Sequence, residues 1–188
     1  MRLQNNSWVF EKALTKDQCE DLIQYGNEQI SDAATVGGGK SPKKSVRQSE
    51  VAWLHDPWIL EILEDYVENA NHYAGWAFEY DLQNQVQFTK YGVGDHYNWH
   101  RDTAIPETHD GKVRKLSITV TLNDDYEGGK LYIDTNHTYG KKDPKHISKV
   151  DSTGSICVFP SDTWHKISKV TKGTRYSLVV WLTGEAWK

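Results

Sequence analysis

The chain has 188 residues, 37% of them hydrophobic, with 22 Lys and Arg against 26 Asp and Glu and a net charge of −4. That length predicts one domain, 1–188, with a core large enough to fold without disulfides or a structural metal, and the balanced charge leaves no electrostatic footprint for nucleic acid or an anionic membrane. No run of 18 apolar residues predicts a membrane span, Met1–Phe10 lacks an apolar signal-peptide core, and Cys19 and Cys157 form no disulfide framework or metal-spaced motif, so a cytoplasmic, aromatic-rich domain is expected.

The N-terminal part, 1–75, reads as a helical support with one loop. After the short apolar piece Trp8-Val9-Phe10, Thr15 and Gln18 make a capping box, with Leu14 and Cys19 placed for a hydrophobic staple. Leu22, Ile23 and Tyr25 continue one face of that helix, and Gly26 is either its end or a tolerated interior glycine. Residues 31–50 carry three glycines, one proline and four basic side chains, and read as a flexible loop running into a strand at 46–54. Asp56 as N-cap and Pro57 at the first helical position open a second helix, in which Ile59, Ile62, Leu63, Tyr66, Val67, Ala70 and Tyr73 recur at helical spacing. From residue 76 the period falls to two. Strands are predicted over 76–82, 86–91, 115–122, 130–134, 155–159 and 176–182, separated by turns at 91–94, 123–129, 151–154 and 172–173. Two helices followed by short strands predict an α+β fold, a β-sandwich or jelly roll braced by the helices, with its core in 76–188.

Histidine spacing carries the chemistry. Of eight histidines, only His100 has an acidic residue two positions on, in His100-Arg101-Asp102, and on extended backbone both side chains of such a pair face one ion. Chance gives roughly 0.6 such pairs in this composition, so the motif weighs little by itself, and a solvated His and Asp at a strand end is the plain alternative. Downstream context changes the balance. His165 follows an apolar strand that ends in Pro160, and ten residues later Arg175 opens the next strand. Two His and one carboxylate on a small β-scaffold leave three coordination positions open, the facial arrangement of non-haem Fe(II) oxygenases. An Arg one strand away offers a fixed fork for a remote carboxylate.

These residues carry a family resemblance. Gln87, Tyr91, Gly94 and Tyr97 precede His100-x-Asp102, and Leu116 to Asn123 leads to Glu127-Gly128-Gly129-Lys130-Leu131. His165, Arg175 and Trp181 follow, and upstream Val46-Arg47-Gln48-Ser49 is similar to an R-x-S strand that lines the substrate groove in family members. Residues 82–183 thereby resemble the 2-oxoglutarate- and Fe(II)-dependent oxygenases of the prolyl-4-hydroxylase-like branch. The resemblance implies a double-stranded β-helix, with Fe(II) held by His100, Asp102 and His165. It implies that Arg175 binds the distal carboxylate of 2-oxoglutarate, with Tyr91 and Thr121 as hydrogen-bonding neighbours, and that Tyr97, Trp181 and Arg47 face the substrate. O2 as oxidant, ascorbate as reductant, and release of succinate and CO2 follow from the same resemblance. The substrate it implies is a prolyl residue in a peptide or protein, with a free amino acid or another protein side chain as alternatives. Collagen-type members usually carry Lys where this chain has Arg175, so a collagen-like substrate is not implied.

Competing readings are a cupin-like module that binds a metal or small ligand without turnover, a zinc hydrolase on the same three ligands, and nucleic-acid demethylation on the same fold. The carboxylate fork speaks against the first, the lack of a general-base Glu motif against the second, and the acidic balance against the third. Tyr91, Thr121 and Trp181 have simple packing as their alternative role. Trp99 and Trp164 alternate away from the ligands and are expected to pack, as is Cys157, while His96 and His109 lie off the ligand pattern. The basic run Lys40, Lys43, Lys44 and Arg47 reads as solvated loop, with a lid over the site at 32–49 as the alternative. Oligomeric state leaves no mark in the sequence.

Overall fold

The computed structural model describes residues 5–30, 46–81, 86–104, 111–136 and 144–186. The capping box forms as expected at the start of α1 (Lys16–Glu28): the Thr15 hydroxyl accepts from the Gln18 amide, and the Gln18 side chain accepts from the Thr15 amide. Asp56 precedes α2 (Pro57–Tyr73) but makes no side-chain cap; its carboxylate accepts from the Tyr25 hydroxyl and so ties the two helices together. Cys19 and Leu22 of α1 and Ile59, Leu63, Val67 and Ala70 of α2 are fully buried, each large aliphatic contributing roughly 1.5–3 kcal/mol. Tyr73, expected on that buried face, is 63% exposed and stacks on Trp8. Gly26 lies inside α1 rather than at its end. A Cβ there would sit 2.3 Å from the Phe88 ring, so the glycine is what lets α1 close onto the sheet.

That sheet has six antiparallel strands in the order β1 (Trp8–Phe10), β10 (Ile156–Pro160), β6 (Val113–Thr121), β13 (Arg175–Gly184), β4 (Val86–Tyr91) and β3 (Glu50–Leu54). A second sheet of five runs β2 (Arg47–Gln48), β5 (His96–His100), β11 (Trp164–Ile167), β8 (Leu131–Asp134) and β9 (Pro144–His146). A short pair, β7 (Glu127–Gly128) with β12 (Val170–Lys172), completes an α+β double-stranded β-helix. Tyr91, Cys157 and Phe159 of the larger sheet meet Leu131, Ile133 and Ile167 of the smaller one in the core between them. No helix among the described residues is long and apolar enough to cross a membrane.

Alternation divides the larger sheet into two faces. Even-numbered Val86, Phe88, Leu116, Val120, Ile156, Val158, Leu178, Val180 and Leu182 join the helices in one apolar core. Odd-numbered Gln87, Tyr91, Thr119, Phe159, Arg175, Ser177, Val179 and Trp181 line a cleft. The polar residues that alternate with aliphatics on these strands are therefore buried too, Thr89, Ser117 and Ser177 among them.

Several expected elements differ. The strand expected at 46–54 divides at Ser49: β2 pairs with β5 in the smaller sheet, while β3 pairs with β4 in the larger. Over 76–81 no strand forms, because Ala77 has φ 52° and the Asn71 side chain bonds the Phe78 amide and carbonyl; a bridge between Asp81 and Thr183 is all that remains. Strands β5, β9, β11 and β12 add to those expected, and β7 lies inside the expected turn at 123–129. Most of the proposed lid at 32–49, with Lys40, Lys43 and Lys44, and also His109, lie outside the described residues.

Candidate active site

His100 ends β5 and His165 lies on β11, directly opposite it in the antiparallel register. Asp102 follows in a short 3-10 turn (Asp102–Ala104), where the Asp102 and Thr103 amides both donate to the Ser161 carbonyl. The turn folds the carboxylate back under both imidazoles: His100 Nε2 is 3.6 Å from Asp102 Oδ1, and His165 Nε2 is 3.6 Å from Asp102 Oδ2. Together they offer three ligand atoms within 4.8 Å of one another.

Hydrogen bonds behind the triad aim it. His100 Nδ1 donates to the Asn98 carbonyl at 2.7 Å and His165 Nδ1 to the Thr163 carbonyl at 2.9 Å. A carbonyl only accepts, so each Nδ1 carries a proton and each Nε2 is the nitrogen turned toward the site. The Ser117 hydroxyl donates to Asp102 Oδ2 at 2.6 Å and is itself 2.8 Å from the Ser161 hydroxyl. Burial, reinforced by the like-charged His165, lowers the His100 imidazole to about 3, so it is neutral at pH 7. Burial pushes the Asp102 carboxyl up, but His165, His100, Arg114 and the Ser117 hydroxyl outweigh it and hold the group below its ordinary value. Two imidazoles and one carboxylate on an open face suit a hard or borderline divalent cation with positions left for exchangeable ligands.

The triad opens into a cleft that Arg175, Tyr91, Tyr97 and Trp181 also line. Arg175 is 2% exposed; its Nη1 donates to Ser177 Oγ at 2.9 Å, its guanidinium lies 5.5 Å from the Tyr91 ring, and its Nε has no partner. The Glu127–Leu131 motif explains how that side chain is seated. Gly128 and Gly129 both have positive φ; a Cβ on Gly128 would lie 2.2 Å from the Lys169 carbonyl oxygen, and one on Gly129 would lie 2.9 Å from Arg175 Cδ. Tyr97 stacks on His100 with ring centroids 3.5 Å apart, and burial raises its hydroxyl above the ordinary tyrosine value. Arg47 is buried across the Tyr97 ring at 4.9 Å and bonds Ser49 and Gln87.

Thr121 stands apart from the other residues expected here. It lies opposite Ser177, buried, and is absent from the cleft lining, where Thr119 stands instead. Trp99 and Trp164 face away from the cleft as expected and carry Lys166 and Arg101 on their rings. His96 is outside the lining, and Cys157 is buried. Sequence reasoning missed Ser117, Ser177 and Arg114, whose guanidinium stacks 3.9 Å over Trp181. The two serines carried a usable signal, since they share the parity of Thr119 and Arg175. Arg114 did not: β6 bulges at Lys115, so Leu116 pairs with Leu182 but Arg114 with Thr183, and the parity reverses.

Comparison with known proteins bears on this geometry. The model of the 2OG-Fe(II) oxygenase superfamily matches residues 86–183, which is 98 of the 188 residues. A PKHD-type hydroxylase of Shewanella oneidensis is 40% identical over 98 residues, covering 50% of this chain and 41% of that protein. The chain thus spans about two fifths of the length of the curated relatives it matches. The viral collagen prolyl hydroxylase of Paramecium Bursaria Chlorella virus-1, solved as a 2OG complex, superimposes with a TM-score of 0.71 at 18% identity, over 96% of this chain and 97% of that one. A prolyl hydroxylase from Trichoplax adhaerens, solved with a hypoxia inducible factor peptide fragment, gives a TM-score of 0.69 at 17% identity, over 95% of this chain and 84% of that one. At those identities the structural likeness speaks to the double-stranded β-helix fold.

Proposed function

We propose a reaction for this chain, which belongs to the 2OG-Fe(II) oxygenase superfamily: 2-oxoglutarate-dependent hydroxylation of an unactivated C–H bond, that of a prolyl residue in a peptide or protein, with release of succinate and CO2. One observation carries the reading. A His–Asp–His face and a buried Arg175 with an unpartnered Nε share a single cleft. The donor set fits Fe(II), and the orphaned guanidinium nitrogen fits the distal carboxylate of a 2-keto acid. His100, Asp102 and His165 would hold the iron, and Arg175 with Ser177 and Tyr91 beside it would hold 2-oxoglutarate. When bound, Fe(II) and 2-oxoglutarate together supply the activation of O2, with ascorbate as the reductant that keeps the iron ferrous.

The protein's own groups bind, orient and exclude water. Asn98 and Thr163 carbonyls fix the two imidazoles, and Ser117 fixes the carboxylate that joins them. Leu131, Phe159, Ile167 and Val179 give the cleft apolar walls that keep water from the reacting groups. Tyr97, Trp181 and Arg47 border the space left for the substrate, and residues 1–75 brace the catalytic core 76–188 within one domain. A cupin-like binding module would have no use for a buried fork aimed into the metal cleft. The relatives support a peptide substrate, since one structural neighbour was solved with a peptide fragment.

The test is succinate formation with Fe(II), 2-oxoglutarate and ascorbate, screened over proline-containing peptides and free amino acids by a mass gain of one oxygen. Hydroxylated peptide is expected. Iron binding with no succinate, coupled or uncoupled, would instead favour the non-catalytic module.

A further inference from the structure

The three ligand side chains are not aimed in the same way. Each histidine is aimed by the chain just before it: His100 Nδ1 bonds the Asn98 carbonyl and His165 Nδ1 the Thr163 carbonyl, in both cases two residues upstream. Asp102 is held differently. It sits in a 3-10 turn beyond the end of β5, where the aim of a carboxylate depends on what other segments do to it. Those segments converge on Ser161, the residue that follows β10.

Ser161 is fully buried, and each of its polar groups is engaged. Its N–H donates to the Lys115 carbonyl of β6 at 2.9 Å. Its carbonyl accepts from the Asp102 and Thr103 amides at 2.9 and 3.2 Å, which fixes the backbone of the turn. Its hydroxyl lies 2.8 Å from the buried Ser117 hydroxyl, which in turn is 2.6 Å from Asp102 Oδ2. Proton counting gives this chain a direction. A serine hydroxyl has one proton and an ionised carboxylate only accepts, so the Ser117 proton goes to Asp102. The 2.8 Å contact is therefore a donation from Ser161 to Ser117; reversed, it would leave the Ser117 and Asp102 oxygens 2.6 Å apart with no proton between them.

We infer that Ser161 is a positioning residue for the metal ligand Asp102, gripping its backbone directly and its carboxylate through Ser117. This rests on the metal site of the oxygenase reading above. A donor behind Ser117 leaves that hydroxyl one orientation, with its proton on Oδ2, and polarises it, so the charge-assisted bond at the end of the chain is strengthened. The same segment serves a second ligand. Residues 160–165 carry both Ser161, which holds Asp102, and the Thr163 carbonyl, which aims His165, so one short stretch sets two of the three ligands against each other.

The experiment is a double-mutant cycle on the full chain, with Co(II) as the probe. Its affinity is measured in competition with a chromophoric chelator, and the visible absorption of the bound ion is recorded. Ser161→Ala is expected to weaken Co(II) by about 3- to 10-fold, the net effect of one neutral hydrogen bond, and to alter the absorption in the same sense as Ser117→Ala. Because Ser161 acts on the carboxylate through Ser117, adding Ser161→Ala to Ser117→Ala should change the affinity by less than about 1.5-fold. Ser161→Cys keeps a weaker donor and should fall between, and it carries the same comparison if Ser161→Ala does not fold. The melting temperature of the metal-free protein reads any effect on the fold. A Ser161 that only packs would lower that temperature and leave Co(II) affinity and absorption unchanged, which overturns the inference. An equal loss of affinity with and without the Ser117 hydroxyl overturns it too. Failure of the unsubstituted protein to bind Co(II) would instead overturn the His–Asp–His site on which the oxygenase reading stands.

Discussion

Substituting Arg175 separates an oxygenase from a metal-binding barrel more directly than any ligand change. The side chain is almost fully buried, its Nη1 is held by Ser177, and its Nε is left for an incoming oxygen, so a carboxylate meets an oriented fork rather than a flexible charge. Arg175→Met keeps the length and removes the donors. Losing one charge-assisted hydrogen bond in a buried site costs roughly 1.5–3 kcal/mol, which corresponds to about a 10- to 150-fold weakening of 2-oxoglutarate. Iron content should survive, because no hydrogen bond joins Arg175 to His100, Asp102 or His165. Arg175→Lys should fall between, since an ammonium keeps the charge and loses the fork. Titrating 2-oxoglutarate into the anaerobic Fe(II) protein and following the metal-to-ligand absorption of the chelate measures the affinity directly. Unchanged affinity in Arg175→Met would place the co-substrate anchor elsewhere and refute the reasoning.

His100→Ala, Asp102→Ala and His165→Ala should each leave iron substoichiometric by elemental analysis, since two protein ligands hold Fe(II) poorly; a variant that keeps full iron is not a ligand position. Ser117→Ala removes the 2.6 Å donor to Asp102, and metal affinity should fall by about 10- to 100-fold in competition with a chelator. An unchanged affinity would mean that the hydroxyl only fills space. Burial pushes the Cys19 thiol up to about 11 and the Cys157 thiol up to about 12, so neither should react with a disulfide reagent at pH 8 until the protein is unfolded, when both should. The same shifts carry a sign for stability: the unfolded thiols ionise from about pH 9 while the folded ones keep their protons, so stability should fall as pH rises from 9 towards 12. A native thiol that titrates near 9 would contradict it.

Elements with a local chemical signature were readable without the structure. Thr15 with Gln18 and Pro57 after Asp56 each mark a helix start through their own backbone requirements, and β4, β6, β10 and β13 alternate large aliphatics with smaller or polar residues. Where tertiary contacts decide the conformation, the pattern misleads. The stretch from Trp76 to Asp81 alternates like a strand, yet the Trp76 indole is drawn off to the Asn5 carbonyl and Asn71 takes the Phe78 amide. The 46–54 segment is one extended run in pattern, but it changes sheets at Ser49, and nothing local to it announces which edge each half will pair with.

The site inverts the usual hydrophobic signal, and that decides which of its parts could be read. Strand β5, His96-Tyr97-Asn98-Trp99-His100, holds no aliphatic residue, because one face carries a metal ligand with its stacking tyrosine and the other meets Lys166. Periodicity therefore passed over the strand while His100-x-Asp102 within it stood out by spacing. On the larger sheet the same inversion makes Gln87, Ser117, Thr119 and Ser177 resemble the solvent-facing half of an exposed sheet, although each is buried and three of them line the cleft. Polar residues on a strand with helices over its other face mean a second buried surface that needs hydrogen bonds. That rule recovers Ser117 behind Asp102 and Ser177 behind Arg175 from parity alone. It stops at Arg114, where a single extra residue at Lys115 turns the parity over, and only the pairing register with β13 shows that this guanidinium joins the cleft side of the sheet.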